Sequence, residues 1–554
     1  MKWMEHITIG AFFDRQVSEM PYQKALITPE GDFTFKELKE VSDFLARGLI
    51  NLGIRKGDKV AVWTNNTPEW VFLFLSLSKV GAVMVPLSFN ARARDLHYTL
   101  EKADVKFLFL MNSFNGTDFL EILHDAIPDL QVLSSGEVHS KELPYLRRII
   151  TVGKEHRQGL LNGYDVLERA RRVNESDYIR CREAVSSSDT CIIKFTCGLT
   201  GYPRGAMLTH FGLINNAQPI VKKLNLGPSD ILCLPLPFYY IFGFWVGLMV
   251  TFTSHTPVVI TPKYNALEIL KNIEQKHCTA LYGVPTTFSD LLNHPSFSQF
   301  DLSSLRTGVM SGDYCSPELV KKTIREIPVP ELTVAYGITE VGLLTQTGWN
   351  ESPGKATHTV GQPLDGMELK VISPGNGETL PAGEKGEICV RSPVLMKGYY
   401  NMPRETFEIM DKDGWFHTGD LGVRDEEGYY QITGRKRNII IRGGENIYPL
   451  EVERLLLTYP DISDVRVVGV PSHRLGEEVY AFVTTNNGTL GNHQTLRDFF
   501  RNKISRNLIP RWVKILEELP GKKGRNVDRN ELRSLAIQDL GLQEDRIFEI
   551  IYEN

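Results

Sequence analysis

A strand, a helix and a second strand follow one another in residues 59–87, KVAVWTNNTPEWVFLFLSLSKVGAVMVPL. The short apolar runs 59–63 and 82–87 are typical of buried strands, and the longer run 69–80 is typical of a helix. This order and spacing indicate a parallel sheet covered by helices. The same succession recurs at 105–109 and at 266–284. The sequence therefore predicts an α/β fold with parallel layered sheets.

The pattern changes in the last third of the chain. From about residue 361, short strands alternate with glycine-rich turns, which predicts a small antiparallel or barrel-like subdomain. From about residue 449 the pattern becomes α+β, with these predicted elements: a helix at 449–458, strands at 464–470 and 478–484, and a helix at 496–507.

The composition is that of an ordinary globular protein. The 554 residues include 62 Lys and Arg against 67 Asp and Glu, a formal net charge of −5, and 42% are hydrophobic. These values exclude wholesale disorder and argue against a nucleic-acid binder that works through a strong basic field. Seven cysteines without a CxxC pair favour a reducing, cytoplasmic location over a disulfide scaffold or a structural zinc site.

Residues 231–262 contain no Asp, Glu, Lys or Arg. Their first part is long and apolar enough to suggest a membrane helix. Pro235 and Pro237 interrupt it, however, and a proline inside a helix removes a hydrogen bond and clashes with the preceding turn. We therefore expect a buried loop, helix and strand in a large core, and no transmembrane segment. The N-terminal residues also lack the apolar region of a secretory signal.

The most informative motif is IIKFTCGLTGYPRGAMLTH at 192–210. An apolar strand runs into glycines that allow a tight turn and present backbone N–H groups to an anion. Hydroxyl and guanidinium groups suited to phosphate oxygens flank these glycines: Thr196, Thr200 and Arg204. Taken alone, the segment is equally compatible with a surface turn. No Walker A pattern is present, which excludes an ordinary P-loop NTPase.

Three further segments place polar groups directly after strands or turns. In 335–340, AYGITE, Tyr336 could stack on a base and Glu340 could hold Mg²⁺. In 414–420, GWFHTGD, Asp420 could accept two hydrogen bonds from a ribose diol. The turn RGGENIYP at 442–449 opens a helix. Each segment, in isolation, is also compatible with a solvated side chain at a turn.

Taken together and in this order, the segments resemble the adenylate-forming superfamily of acyl-CoA synthetases, adenylation domains and luciferases, over about residues 10–535. TCGLTGYPRGAMLTH resembles the phosphate loop of that family, TSGTTGxPKGVMLTH. The later motifs of the family have these counterparts: YGITE at 336–340, GWFHTGDLG at 414–422, GRKRNIIIRGGENIYPLEVE at 434–453 and NVDRNELR at 526–533. TVGQPLDGMELKV at 359–371 and KGYYNMP at 397–403 look most like the fatty-acyl- and aryl-CoA ligases.

The resemblance implies a reaction in two halves. A medium or long acyl, or an aryl, carboxylate attacks the α-phosphate of Mg·ATP to give acyl-AMP and pyrophosphate, and the thiol of CoA then displaces AMP. It also implies a large N-terminal domain, 1–436, that binds AMP and the acyl group. A small mobile lid, 437–554, rotates between the halves.

The resemblance also implies roles for particular residues. The β- and γ-phosphates would be held by Thr196, Cys197, Gly198, Leu199, Thr200, Gly201 and Arg204. The α-phosphate and Mg²⁺ would be served by Thr339 and Glu340. The adenine and ribose would be bound by Gly312, Asp313, Tyr314, Tyr336, Asp420 and Arg435. Arg437 would be the hinge between the two domains. Gly443 and Gly444 would leave room for pantetheine to approach. Tyr240 and Gly337 would line the acyl pocket.

This chain departs from the family pattern at several of these positions. In the phosphate loop, Cys197 replaces a serine, Leu199 a threonine and Arg204 a lysine, and Tyr240 replaces the histidine of the acyl pocket. The most serious departure is Asn526, which aligns with the catalytic lysine of the late motif. Asparagine brings no charge, and losing a charged bond aimed at a transition state can cost roughly 10²–10³ in rate.

Three interpretations of Asn526 stay open. Arg525, the preferred substitute, or Lys522 or Lys523 takes the place of the lysine. Alternatively the enzyme adenylates slowly, or mainly performs the thioester half from a supplied acyl-adenylate. Finally, the chain is a non-catalytic relative that binds a nucleotide or an acyl ligand.

The acceptor is a further open point. CoA is expected, and an acyl carrier protein or an amine is the alternative. A homodimer is compatible with the sequence, which does not determine the oligomeric state.

Overall fold

A computed structural model describes residues 3–133, 136–153, 157, 159–197, 203–435, 439–485, 499–500, 504–516, 519 and 529–541. Within these ranges the α/β prediction is confirmed. Strand 59–63, helix 68–80 and strand 83–86 form as expected, each within two residues of its predicted bounds. The predicted helix at 496–507 lies mostly outside the described residues.

The first layer is a sheet of nine described strands. Its inner strands are parallel, and antiparallel pairs close both edges. From one edge to the other, the strands are Gly31–Thr34, Lys24–Thr28, Val258–Ile260, Leu232–Leu234, Ala280–Gly283, Thr307–Met310, Glu331–Ile338, Gly342–Gln346 and Gln362–Pro363.

The second layer is a sheet of seven described strands. All neighbouring pairs are parallel except the last, which is an antiparallel hairpin. In order, the strands are Leu161–Asn162, Arg148–Val152, Phe107–Met111, Lys59–Trp63, Val83–Pro86, Thr190–Cys197 and Pro203–Thr209. Two short hairpins lie near this sheet in the chain: Ser113–Phe114 with Thr117–Asp118, and Gln131–Val132 with Val138–His139.

Helices pack on both layers. The helix Phe35–Leu52 illustrates how the sequence sets the helix ends. A capping box of Thr34 and Glu37 begins it, and Gly53 ends it at a φ of +100° that suits glycine. The other described helices of this part are Ile9–Glu19, Pro68–Val80, Ala93–Lys102, Phe119–Ala126, Gly163–Arg169, Glu175–Glu183, His210–Leu224, Ala266–Lys276, Pro285–Leu292, Pro317–Glu326, Pro353–His358 and Pro403–Phe407. Single 3₁₀ turns occur at Ala170–Arg172 and Phe297–Gln299.

Two smaller sheets follow. The first is antiparallel, as predicted for this region, and its four described strands are Glu368–Ile372, Gly386–Arg391, Phe416–Arg424 and Tyr430–Arg435. The second is the sheet of the α+β part, with these described elements: strands Ile440–Arg442, Glu445–Ile447, Ile462–Ser472, Gly476–Thr485 and Trp512–Ile515, helices Pro449–Leu456 and Arg529–Asp539, and a 3₁₀ turn Arg506–Leu508.

The uncharged span 231–262 lies in the core, as predicted. It forms a strand, a short helix, a π-helical turn at Phe244–Met249, a second helix at Val250–Ser254 and a final strand. Trp245 is fully buried, and Phe238 packs on Trp70 with ring centroids 5.5 Å apart. Pro235 and Pro237 lie in the loop before the helices rather than inside one. Among the helices of the described residues, none is long and apolar enough to span a bilayer.

Candidate active site

A cavity of about 1190 Å³ lies where the carboxyl ends of the parallel strands meet the two smaller sheets. Ligands of open α/β sheets bind at this end of the strands. The lining brings together predicted residues from distant segments: Thr196, Tyr240, Gly312, Asp313, Tyr314, Tyr336, Gly337, Thr339, Glu340 and Asp420. Most of the described residues that the sequence singled out therefore share one cavity.

Tyr336 and Asp420 meet on one side of the cavity. Tyr336 lies near the end of strand Glu331–Ile338, and its hydroxyl donates a 2.6 Å hydrogen bond to Oδ2 of Asp420. Both side chains are buried. Strand pairing places residue Arg435 opposite Asp420. An aromatic ring and a carboxylate in fixed orientation are suited to a base and its ribose diol.

The turn 312–314 follows strand Thr307–Met310 and forms the next part of the wall. Gly312 has a φ of +90°, and a Cβ at this position would lie 3.1 Å from Cγ1 of Val284. The Asp313 carboxylate accepts the backbone N–H of Tyr314 at 2.6 Å. The glycine thus lets the chain turn tightly beside the cavity.

Glu340, Tyr399 and Arg204 form the charged part of the site. The Tyr399 hydroxyl donates to Oε1 of Glu340 at 2.7 Å, and the Arg204 guanidinium lies 5.3 Å from the centroid of the Tyr399 ring. Arg204 is 3% exposed, and its Nε makes no hydrogen bond to any described residue. Arg204 does not itself line the cavity, but its neighbours Glu340 and Tyr399 do. A buried guanidinium with an unsatisfied N–H at this place is suited to an anionic ligand.

The electrostatics of Glu340 reflect this setting. Burial raises the pKa of its carboxyl, and the nearby Asp420 charge adds to that rise. The hydrogen bond from Tyr399 and the charge of Arg204 oppose it. A bound cation would stabilise the ionised form of such a carboxylate by compensating its charge.

The residues that flank the phosphate-loop glycines belong to two paired strands. Strand Thr190–Cys197 pairs with Pro203–Thr209, which sets Thr196 opposite Arg204. This places two of the seven predicted phosphate ligands at one end of the hairpin. Several predictions concern residues, or side chains, outside the described parts of the chain: Gly198, Leu199, Thr200, Gly201, Arg437, Arg525 and Asn526, and the side chains of Cys197 and Arg435.

Tyr240 and Gly337 border the apolar part of the cavity, together with Phe242, Val246 and Leu343. A Cβ on Gly337 would lie 2.4 Å from the carbonyl oxygen of Gly342, so only glycine fits between these strands. The uncharged span thus supplies part of the cavity wall.

The turn of Gly443 and Gly444 lies next to this wall. Both residues have positive φ, +59° and +83°, and a Cβ on Gly444 would lie 3.0 Å from Cγ1 of Val284. The Tyr240 hydroxyl donates to the Gly444 carbonyl oxygen. The predicted pantetheine turn and the predicted acyl wall are therefore in direct contact.

Sequence reasoning missed two contributors. Tyr399 belongs to the KGYYNMP segment, which supported the resemblance but received no role. Its place in that segment was the one signal in the sequence that could have pointed to Tyr399. Arg529, the first residue of the last described helix, also lines the cavity, and its guanidinium pairs with Glu453 at 3.0 Å.

Comparison with known proteins agrees with this geometry. The family model of the AMP-binding enzyme matches residues 13–400, and that of the AMP-binding enzyme C-terminal domain matches residues 451–524. The chain is 35% identical to "Putative acyl-CoA synthetase YngI" of Bacillus subtilis (strain 168), over 98% of this chain and 99% of that protein. It is 31% identical to the human mitochondrial medium-chain acyl-CoA ligase ACSF2, over 98% and 89%.

Solved structures share the fold. The amide bond synthetase McbA from Marinactinospora thermotolerans superposes with a TM-score of 0.79 at 25% identity, covering 94% of this chain and 99% of that one. The long-chain-fatty-acid-CoA ligase FadD1 from Archaeoglobus fulgidus gives 0.73 at 25% identity, covering 93% and 98%. With its ordered motifs gathered around one cavity and family matches along most of its length, this chain belongs to the AMP-binding enzyme family of the adenylate-forming superfamily.

Proposed function

We propose that this protein is an AMP-forming acid–thiol ligase that activates a medium or long acyl, or an aryl, carboxylate and transfers it to CoA. The observation that carries the proposal is that one cavity gathers Glu340 and Tyr399, which lie beside Arg204, with the Tyr336–Asp420 pair. The first group offers charge for phosphates, and the pair offers a ring and a carboxylate for a nucleoside.

The first half-reaction forms an acyl-adenylate. A carboxylate oxygen attacks the α-phosphorus of ATP, the bond from that phosphorus to the bridging oxygen breaks, and pyrophosphate leaves. Arg204, buried beside Tyr399, holds phosphate oxygens, and Thr196 and Thr339, which line the cavity, donate hydroxyl hydrogen bonds. The protein's contribution is alignment and charge neutralisation rather than covalent chemistry.

Mg²⁺ would accompany ATP at Glu340. Mg²⁺ usually takes one or two protein carboxylates together with substrate phosphates, and the half-buried Glu340 carboxylate near the phosphate-binding arginine fits that pattern. Bound there, the ion would neutralise phosphate charge. Tyr399 orients the carboxylate for this role through its hydrogen bond.

The second half-reaction forms the thioester. The thiol loses its proton, its sulfur attacks the acyl carbon, and the bond to the AMP oxygen breaks. Gly443 and Gly444 leave room at the acyl wall because neither carries a side chain. We propose that residues 437–554 act as the mobile lid of this step, with the boundary at 436/437 and Arg437 as hinge.

An amine acceptor is the second candidate. McbA, an amide bond synthetase, has the same fold as this chain along nearly its whole length. The medium-chain and long-chain CoA ligases among the relatives favour a CoA acceptor. An acyl carrier protein as acceptor, a homodimer and a cytoplasmic location stay predictions.

A product assay tests the proposal. The protein is incubated with Mg²⁺, ATP and a panel of short, medium and long acyl acids and aryl acids, with CoA, a carrier protein or an amine in parallel reactions. We expect AMP, pyrophosphate and an acyl-CoA with at least one medium, long or aryl acid. Glu340→Gln should abolish turnover, and the exposed Glu426→Gln should leave it unchanged. If no acid yields AMP or pyrophosphate while ATP binds, the ligase proposal is wrong and a nucleotide-binding role replaces it.

A further inference from the structure

An ion pair joins the C-terminal part of the chain to the N-terminal body. The Arg474 guanidinium donates two hydrogen bonds to the Asp290 carboxylate, from Nε to Oδ1 and from Nη2 to Oδ2, each 3.1 Å long. Two parallel N–H···O bonds of this kind fix the orientation of both groups as well as their separation. The contact therefore specifies one placement of Arg474, which also lines the cavity, on the body.

The body already orients the carboxylate of this pair. Asp290 lies on helix Pro285–Leu292, and its side chain is 17% exposed. The Tyr264 hydroxyl donates a 3.0 Å hydrogen bond to Oδ2, the same oxygen that accepts Nη2 of Arg474. Arg474 is the more exposed partner, at 69%, and it belongs to the part of the chain that we propose to be mobile.

The turn at 472–476, which carries Arg474, adjoins the glycine turn. The Gly443 N–H donates to the carbonyl oxygen of Leu475 at 2.8 Å. The strand that follows the turn at 472–476 pairs with Ile440–Arg442, the strand that leads into the glycines. The two turns are thus connected by backbone hydrogen bonds, and a contact that holds one of them on the body also holds the other.

Both turns pack closely on the body. A Cβ on Gly444 would lie 3.0 Å from Cγ1 of Val284, which comes directly before the helix of Asp290. A Cβ on Gly476 would lie 2.9 Å from Oδ2 of Asp313, in the wall of the cavity. The ion pair therefore belongs to a contact that also places the glycine turn.

We propose that the Asp290–Arg474 pair is a latch for the thioester half-reaction: Arg474 is a positioning residue that holds the C-terminal part where Gly443 and Gly444 meet the acyl wall. When the lid rotates for adenylation, Arg474 leaves with it and the pair separates. The latch thus favours one orientation of the lid without taking part in either chemical step. This inference rests on the proposed function for its kinetic readout.

Separate half-reactions test the latch. Arg474→Gln removes the charge, and we expect thioester formation from CoA and a supplied adenylate to slow about fivefold, or about 1 kcal/mol, the upper end for a partly exposed ion pair. The adenylate is octanoyl-AMP, or benzoyl-AMP if the product assay selects aryl acids. The fall should be in the maximal rate and not in the KM for CoA. Adenylation, measured by exchange of pyrophosphate into ATP, should stay unchanged or rise up to about twofold, because the competing orientation loses stability.

Asp290→Asn distinguishes a latch from a residue that binds CoA. It should slow thioester formation as much as Arg474→Gln does, and the double variant should be no slower than either single variant, because all three lack the same interaction. The charge swap that combines Asp290→Arg with Arg474→Asp should recover part of the rate. If Arg474→Gln instead raises the KM for CoA and Asp290→Asn does not, Arg474 binds CoA directly and the inference is wrong.

The matched control is Arg391→Gln. Arg391 pairs with Glu368 at 2.6 Å and also joins two chain segments at the surface, but both segments are neighbouring strands of one small sheet. This variant should affect neither half-reaction. An equal loss of both half-reactions in Arg474→Gln and Asp290→Asn would indicate a general loss of structure and overturn the inference. If one of these two variants does not fold, the other decides by the same criteria.

Hydrogen exchange gives a readout that does not depend on activity. Amides of the peptides covering 284–292 and 440–447 should exchange faster in Arg474→Gln and in Asp290→Asn than in the parent, and at the parent rate in Arg391→Gln. Unchanged exchange in both latch variants overturns the inference. Should no acid be activated at all, the proposed function fails while the exchange experiment still judges the contact.

Discussion

Tyr336 and Asp420, 84 residues apart in the chain, are joined by a buried hydrogen bond of 2.6 Å from the tyrosine hydroxyl to Oδ2 of the carboxylate. One residue comes from the large parallel sheet and the other from the small antiparallel sheet. The bond therefore connects two layers at the site proposed for the nucleoside. It fixes a ring and a carboxylate with respect to each other.

Removing this bond should weaken ATP binding. Tyr336→Phe keeps the ring but leaves a buried carboxylate oxygen without this donor, which costs about 1–3 kcal/mol. We expect the KM for ATP to rise about tenfold with a smaller change in kcat, measured as AMP release over a range of ATP concentrations. Tyr164→Phe, at an exposed position, is the control. An unchanged KM for ATP in Tyr336→Phe would contradict the proposed role.

Arg204 should contribute charge that no neutral side chain can replace. Arg204→Met should lower kcat/KM for adenylation by roughly 10²–10³, the usual cost of losing a donor aimed at developing charge. Arg204→Lys, which restores the charge but not the bidentate geometry, should recover part of the loss. Pyrophosphate exchange measures both. Arg180→Met, at a side chain 79% exposed, provides the comparison, and equal behaviour of Arg204→Met and Arg180→Met would refute the role.

The pH dependence of Mg·ATP binding should follow Glu340. Burial raises the pKa of this carboxyl, so on acidification it takes up a proton at a higher pH than an ordinary glutamate does. The protonated form cannot hold a cation, and the KM for Mg·ATP should therefore rise as the pH falls through that raised pKa.

Tyr399→Phe sharpens this prediction. The Tyr399 hydrogen bond lowers the pKa of Glu340, so its removal should move the rise in KM to still higher pH. Tyr400→Phe, which loses a bond to Asp104 instead, should leave the profile in place. If the KM for Mg·ATP depends on pH in the same way in the parent protein, in Tyr399→Phe and in Tyr400→Phe, a group other than Glu340 controls that dependence.

The glycine turn should matter more for thioester formation than for adenylation. Gly444→Ala brings a Cβ to 3.0 Å from Val284 at a φ of +83°, whereas Gly57→Ala has the same φ and nothing within 4 Å. Both lose stability through the backbone, by roughly 1–3 kcal/mol. We expect only Gly444→Ala to slow thioester formation from supplied acyl-adenylate. Similar kinetics of the two variants would argue against contact between this turn and the acceptor.

The asparagine at the late-motif position calls for a paired test. If Arg525 supplies the missing charge, Arg525→Met should lower adenylation by roughly 10²–10³, and Asn526→Lys should change it only a few-fold. Initial rates of pyrophosphate exchange into ATP measure adenylation in both variants. A large gain in Asn526→Lys together with no loss in Arg525→Met would instead mean that the native site is slow for lack of a cation.

Much of the fold was readable from local patterns. The helix Phe35–Leu52 and the strand Lys59–Trp63 occupy the predicted residues, because apolar periodicity and glycine stops act within one element. The uncharged span was correctly assigned to the core, but the π-helical turn Phe244–Met249 was not foreseen. A π turn has no periodicity of its own, and it arises where packing inserts a residue into a helix.

Residue types and short spacings were enough to predict the alternation of strands and helices and to single out the candidate site residues. Both signals depend only on neighbours in the chain. Which of those residues meet depended on how the layers pack. Tyr399 reaches Glu340, and Tyr240 reaches Gly444, across gaps of 59 and 204 residues. Such contacts have no local signature, because they form only when separate hydrophobic faces are buried against each other. Packing thus gathered a set of plausible polar residues around one cavity and set the glycine turn against Tyr240 in its wall.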